Sequence, residues 1–274
     1  LSLIELYPTA GGARALRGLY LAEPLPRSNR AGQPPFIFTN YIASLDGRIA
    51  IPHHSRPGMK VPEAIVNDRD WRLFQELRAQ SDLLITSGRY LRDVVDGRAQ
   101  ENLQIYQNPE FADLGQWRQA AGLAAEPDLA VLSASLNFEV PPSTVAAGRK
   151  LWVFTTDEAD PERADRIAQQ GGIIVRAGSG QVDGQVLAAS LGDSGYRTVF
   201  GTAGPKVFHT LLAAGRIDRL YLTLAHRLLA GAPFSSILEG PLIDPPADLQ
   251  LKSLYLDQTS PGAGGQMYAI YDVD

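Results

Sequence analysis

The sequence predicts an α/β protein with a mostly parallel, twisted sheet, helices flanking it and an antiparallel C-terminal hairpin. Three observations predict this class. First, residues 196–229 read as a buried strand (Thr198, Val199, Phe200), a small-residue turn (Gly201-Thr202-Ala203-Gly204-Pro205), a helix over 206–214 stopped by Gly215, and an apolar strand over 219–224. A helix between two strands carries the chain back over the sheet, so the strands run parallel. Second, short apolar runs alternate with helical patterns between residues 36 and 225. Third, residues 249–256 and 266–273 are strand-like and joined by a Gly-rich stretch at 260–265, the pattern of a hairpin.

In chain order, residues 1–35 read as an N-terminal extension with a short helix over 13–20, and residues 36–274 as one domain of about eight strands. Residues 36–43 form a buried strand that runs into Ser44-Leu45-Asp46-Gly47-Arg48-Ile49-Ala50. Residues 53–62 are a loop. Asn67 caps a helix carrying Asp68 and Asp70 in its first turn, with Trp71, Phe74, Leu77 and Arg78 at helical spacing. A strand over 81–86 ends at Ser87-Gly88-Arg89, and a helix follows over 109–122. Strands over 129–132 and 151–154 end in hydroxyls, Ser133 and Ser135 after the first and Thr155 and Thr156 after the second. Such hydroxyls start turns, cap helices or bind a nucleotide. Residues 157–170 form a helix, 173–175 a strand and 186–191 a short helix.

Composition narrows the function. The net charge is −5 with no basic block, which removes the electrostatic footprint of a nucleic-acid or membrane binder and leaves small-molecule chemistry. Cysteine is absent, so disulfides, thiolate nucleophiles and thiolate metal sites are excluded. The four histidines are scattered, so no metal is expected. No apolar run approaches the ~20 residues that span a bilayer, and residues 1–20 lack the order of a signal peptide. A cytoplasmic protein is expected.

The turn at 201–205 sits where a strand gives way to a helix. Backbone N–H groups at a helix start favour an anion by about 0.3–1 kcal/mol. Gly204 lets a ligand approach the backbone, and Pro205 suits a first helical turn. An ordinary packing turn explains the same residues, and the turn alone does not choose. Asp46, read alone, is an Asp-Gly turn stabilised by its own side chain.

Two segments carry a family resemblance. Ser44-Leu45-Asp46-Gly47-Arg48-Ile49-Ala50, and the run from Gly204-Pro205 through Leu211-Leu212-Ala213-Ala214-Gly215-Arg216-Ile217-Asp218-Arg219-Leu220-Tyr221-Leu222, resemble the reductase domain of the riboflavin-biosynthesis deaminase-reductase. That domain is dihydrofolate-reductase-like. The resemblance implies NADPH across the carboxyl ends of the strands and reduction of a phosphoribosylaminopyrimidine, a small-molecule substrate. It implies that Gly201, Thr202, Ala203, Gly204 and Pro205 hold the pyrophosphate, that Ser87, Gly88 and Arg89 form a second phosphate-side corner, that Ser133 and Ser135 lie beside the 2′-phosphate and Thr155 and Thr156 beside the adenine ribose. Asp46 matches the active-site aspartate, as a proton relay or as a hydrogen-bond partner of the substrate ribose. Ser44 and Asn40 would share its cleft, since alternate strand residues share a face. Relatives commonly pair as homodimers, and the apolar C-terminal hairpin offers a surface for it.

The chain also departs from the family. Thr202-Ala203-Gly204-Pro205 stands where Glu-Gly-Gly-Pro is usual, Thr86-Ser87-Gly88-Arg89 replaces Gly-Ala-Gly-Thr, and the zinc-binding deaminase half is absent. A catalytically silent nucleotide-binding or interaction relative is the alternative these departures leave open.

Overall fold

The computed structural model describes residues 2–27, 33–55, 58–97, 108–259 and 264–274. Part of the 260–265 stretch expected to join the C-terminal strands therefore lies outside the described residues. The elements in chain order are β1 (Ser2–Tyr7), β2 (Ala13–Ala15), β3 (Phe36–Ser44), β4 (Ile51–Pro52), β5 (Met59–Lys60), α1 (Asp68–Ala79), β6 (Leu83–Ser87), α2 (Gly88–Val95), a 3₁₀ turn (Pro109–Phe111) leading into α3 (Ala112–Ala120), β7 (Asp128–Leu132), α4 (Pro142–Ala146), β8 (Leu151–Thr155), α5 (Pro161–Gln169), β9 (Gly172–Arg176), α6 (Gly184–Asp193), β10 (Thr198–Gly201), α7 (Pro205–Ala213), β11 (Arg219–Ala225), β12 (Leu249–Asp257) and β13 (Gln266–Val273). The chain divides into two compact units, one of residues 1–24, 38–77 and 217–274, the other of residues 25–37 and 78–216.

In the first unit the strands run in the order β2-β1-β12-β13-β11-β3. β11 and β3 are parallel and the other pairs antiparallel. β12 and β13 form the expected antiparallel hairpin. Each is hydrogen-bonded on its outer side as well, β12 to β1 and β13 to β11, so the hairpin presents no open edge for a second chain. The expected helix over 13–20 is replaced by β2 and a turn, because Arg14 forms an ion pair with Glu5 of β1 at 2.6 Å and Ala13 and Ala15 pair with Ile4 and Ser2. The expected loop over 53–62 contributes β5 to a two-stranded hairpin with β4.

α1 shows why the buried side of this unit is specific. Asn67 caps it as expected, its Oδ1 accepting from the N–H groups of Arg69 and Asp70 at 3.1 and 3.0 Å. The helix then spends its polar side chains on the sheet. Arg69 pairs with the fully buried Asp257 at 2.6 Å, and Thr223 Oγ1 donates to Asp70 at 2.6 Å. Glu76, also fully buried, pairs with Arg72 at 2.9 Å and accepts from the N–H groups of Gly18 and Tyr20 at 2.6 and 3.0 Å. The N-terminal residues are thus tied to this unit by a buried carboxylate. Such pairs are costly to break, because a lone buried charge is left behind.

The second unit is a parallel array in the order β10-β6-β7-β8-β9. Its strands read as continuous apolar runs, with Leu83, Leu84, Ile85, Ala130, Val131, Val153, Phe154, Val199 and Phe200 all fully buried, as a sheet covered on both faces requires. The buried guanidinium of Arg118 on α3 donates to the carbonyls of Ala79 and Ser81, each at 2.9 Å. It thereby supplies partners to carbonyls at the end of α1 that have none within the helix. α4 is a helix the sequence did not announce: Pro142 opens it at the first helical position, where proline costs nothing. The helix expected over 157–170 begins only at Pro161, with Asp160 as its cap, so Thr155 and Thr156 do not cap it.

Candidate active site

Asp46 lies in the first unit, in the turn that follows β3. Its two oxygens are both engaged. Oδ1 accepts a hydrogen bond from the Ser44 hydroxyl; Oδ2 accepts from the N–H groups of Leu229 and Ala230 at 3.1 and 2.8 Å and pairs with Arg48 Nη1 at 2.9 Å. The Ser44 hydroxyl and the Ala230 N–H lead in holding the Asp46 carboxyl down at about 2. The carboxylate is therefore ionised at any ordinary pH. Ser44 Oγ also accepts from Arg48 N at 3.1 Å, which closes the turn.

Asn40 lies on the same face of β3 as Ser44, two strand repeats away. Its amide donates to the Tyr221 carbonyl at 3.4 Å. That contact holds the side chain against β11.

The remaining candidate residues belong to the second unit. Gly204 is the N-cap of α7 and no side chain caps that helix. A β-carbon at Gly204 would meet nothing within 4 Å, so the approach to the first turn is open. Pro205 stands at the first helical position, Ala203 is buried, and Thr202 is turned inward: its N–H and its hydroxyl both donate to the Ile85 carbonyl at 2.9 Å. Gly201 ends β10. This open, uncapped turn fits a phosphate, because backbone N–H groups at a helix start attract anions.

At the second corner, Ser87 caps α2 by accepting from Tyr90 N at 3.2 Å. A β-carbon at Gly88 would lie 3.2 Å from the Phe138 ring, so a larger residue would press on the loop that follows β7. Arg89 is exposed and carries no ion pair among the described residues. Ser133 Oγ accepts from Leu136 N at 3.1 Å and so shapes its own loop, while Ser135 is exposed. Thr155 is fully buried with its hydroxyl unmet, and Thr156 is buried too. Any contact to a ligand from that corner comes from its backbone.

Three arginines that the sequence did not single out hold these loops by their carbonyls. Arg92 donates to Asn137 O at 2.6 Å, Arg163 to Ser135 O at 2.9 Å, and Arg176 to Thr156 O and Asp157 O at 3.0 and 2.8 Å. Only their location on α2, α5 and β9, each next to a strand-end loop, could have flagged them. Among the described residues no cluster of three or more His, Asp or Glu is placed to hold a metal, and no helix is long and apolar enough to cross a membrane.

Parallel strands with helices between them define an α/β class of protein, here one in which the start of α7 at Gly204 carries no side-chain cap. Within that class, the chain belongs to the RibD C-terminal domain family, whose model matches residues 35–261. Solved structures share its fold. A pyrimidine reductase-like protein from Corynebacterium diphtheriae is 21% identical, with 88% of this chain and 92% of that chain covered and a TM-score of 0.64. The riboflavin biosynthesis reductase of Saccharomyces is 14% identical over 94% and 99% of the two chains, with a TM-score of 0.56. RibD of Acinetobacter baumannii is 17% identical, with a TM-score of 0.55 over 88% of this chain and 58% of that one, so the chain spans somewhat over half of that protein. No curated protein matches the sequence.

Proposed function

We propose that this chain is an NADPH-dependent reductase of the 5-amino-6-(5-phosphoribosylamino)uracil type, or one acting on a related small heterocycle. The observation that carries the reading is the uncapped start of α7 behind Gly204, in a chain of the RibD C-terminal domain family. The names of similar proteins, a pyrimidine reductase-like protein and a riboflavin biosynthesis reductase, point the same way.

In this reading the turn at residues 201–205 and the start of α7 bind the pyrophosphate, with the Thr202 N–H already given to Ile85 and Pro205 offering none, and Ser87, Gly88 and Arg89 take a second phosphate. The loop carrying Ser133 and Ser135 receives the 2′-phosphate, and the Thr155-Thr156 corner offers backbone to the ribose. NADPH, when bound, supplies the hydride; the chain's task is orientation and exclusion of water. Asn40 and Ser44 are the candidate contacts to the substrate.

The expected setting is cytoplasmic, and the expected state a homodimer. Ile4, Leu256, Met267 and Leu224 form one half-exposed apolar row across β1, β12, β13 and β11, a surface that a second copy would bury.

The test is NADPH oxidation in the presence of the aminopyrimidine. Turnover supports the reading, and NADPH binding without turnover on this or related heterocycles favours a catalytically silent relative. The inward Thr202 hydroxyl is the observation behind that second reading, since it leaves no polar group of this residue facing out from the turn.

A further inference from the structure

The surroundings of Asp46 give its carboxylate a task other than proton transfer. Residues 227–235 lie along the turn 44–50 and are joined to it at both ends: Leu45 N donates to Arg227 O, Ile49 N to Ser235 O and Ser235 N to Ala50 O, each at 2.9 Å. The middle is held by side chains alone. Asp46 takes the N–H groups of Leu229 and Ala230, and Arg48 donates through Nη2 to Gly231 O at 3.1 Å and lies 4.2 Å over the Phe234 ring. Arg48 Nη1 also donates to the Asp46 carbonyl at 2.9 Å. The two residues thus form one clasp.

The segment needs holding where the clasp grips it. Ala230 has φ +57° and Gly231 φ +82°, two successive residues in the left-handed region, and only glycine enters it without strain. An alanine stays there when its surroundings over-determine it. The Asp46 carboxylate does so, since it takes the N–H of Ala230 itself. Nor is the carboxylate placed to release a proton: four donors converge on its two oxygens, and three of them belong to backbone N–H or guanidinium groups that cannot turn into acceptors. A general acid works best with a pKa near the working pH.

We propose that Asp46 is a positioning residue: with Arg48 it clasps residues 227–235 in one conformation and acts on substrate binding through that segment. The kinetic part rests on the reductase reading above; the clasp itself does not.

The experiment compares Asp46→Asn with Asp46→Ala in the full chain, by amide hydrogen exchange and by steady-state kinetics across pH. Asparagine keeps an acceptor for the Leu229 and Ala230 N–H groups but no carboxyl proton; alanine keeps neither. We expect exchange at Leu229 and Ala230 to rise at least tenfold in the alanine variant and far less in the asparagine variant, with the rest of the unit unchanged. The alanine variant should raise KM for the aminopyrimidine about tenfold or more, the asparagine variant should retain most of kcat, and the pH–rate profile should keep its shape. Equal loss of kcat in both variants, by the ~10²–10⁴ of a missing general acid, would overturn the proposal, as would unchanged exchange at those amides in the alanine variant. If the wild-type chain turns over no aminopyrimidine, the exchange result still decides the clasp and the failure belongs to the reductase reading.

Discussion

Two strand ends of this protein treat backbone N–H groups in opposite ways. After β3, the turn at 44–50 brings its own anion: the Asp46 carboxylate takes up the free N–H groups of Leu229 and Ala230. After β10, the turn at 201–205 brings none, and α7 begins at Gly204 with no capping side chain and open space in front of it. One corner is satisfied by a side chain of the protein itself and the other is not. The comparison teaches that an acidic residue at a strand end can be committed to the chain's own backbone, while a turn of small residues can leave a helix start without a cap.

The sharpest way to break the contrast is to give the open corner the anion it lacks. Gly204→Asp places a carboxylate at the N-cap, where the backbone (φ −69°, ψ 177°) suits a capping residue. Thermal unfolding should show a gain of about 0.3 kcal/mol, while NADPH affinity, measured by fluorescence titration, should fall by about 100-fold as the two anions compete. A smaller loss follows at the second corner. Arg89→Ala removes an exposed guanidinium that carries no ion pair among the described residues and should weaken NADPH by roughly 10- to 100-fold, with little change in stability.

The first unit carries an acid that shows the cost of an anion poorly served. Burial of Asp70 on α1 pushes its carboxyl up to about 6, against the pull of the Thr223 hydroxyl. The folded state therefore binds this proton more tightly than the unfolded chain does. The contribution of Asp70 to stability is intact below about pH 4 and declines as the pH rises toward 6. Asp70→Asn should stabilise the protein at pH 7 by on the order of 1–3 kcal/mol and flatten urea-unfolding stability between pH 4 and 7. The smallest effect belongs to Thr202→Val, which removes one hydrogen bond to the Ile85 carbonyl and should cost about 0.5–1.5 kcal/mol in denaturant unfolding.

What the sequence conveyed divides along the same line. The run from β10 through α7 to β11 was legible because its signals are local: a buried apolar strand, a turn of small residues, proline at the first helical position and glycine after the last. The cap at Asn67 and the corner at Ser87 were legible for the same reason. The segment at 13–20 misled because Ala13, Arg14, Leu16 and Arg17 are good helix formers, yet pairing with β1 and the ion pair to Glu5 outweigh that preference. α4 was hidden behind Pro141-Pro142, which reads as a break until the second proline is placed at a helix start.

At the candidate site, residue types were legible but their surroundings were not. Thr155 looked like a nucleotide contact at a strand end and is fully buried. Asp46 looked like an acid in a cleft; its partners Leu229 and Ala230 stand more than 180 positions away in sequence, beyond any local pattern. The arginines that hold the strand-end loops act on carbonyls of residues 17 to 45 positions distant and gave no motif to find.

The central claim is that the uncapped turn at 201–205 receives a dinucleotide phosphate. It is tested most directly by titrating the wild-type chain with NADPH while 2′,5′-ADP competes. The account predicts saturable binding in the micromolar range, displaced by the competitor and lost in Gly204→Asp. Absence of saturable binding, or binding that Gly204→Asp leaves unchanged, would contradict it.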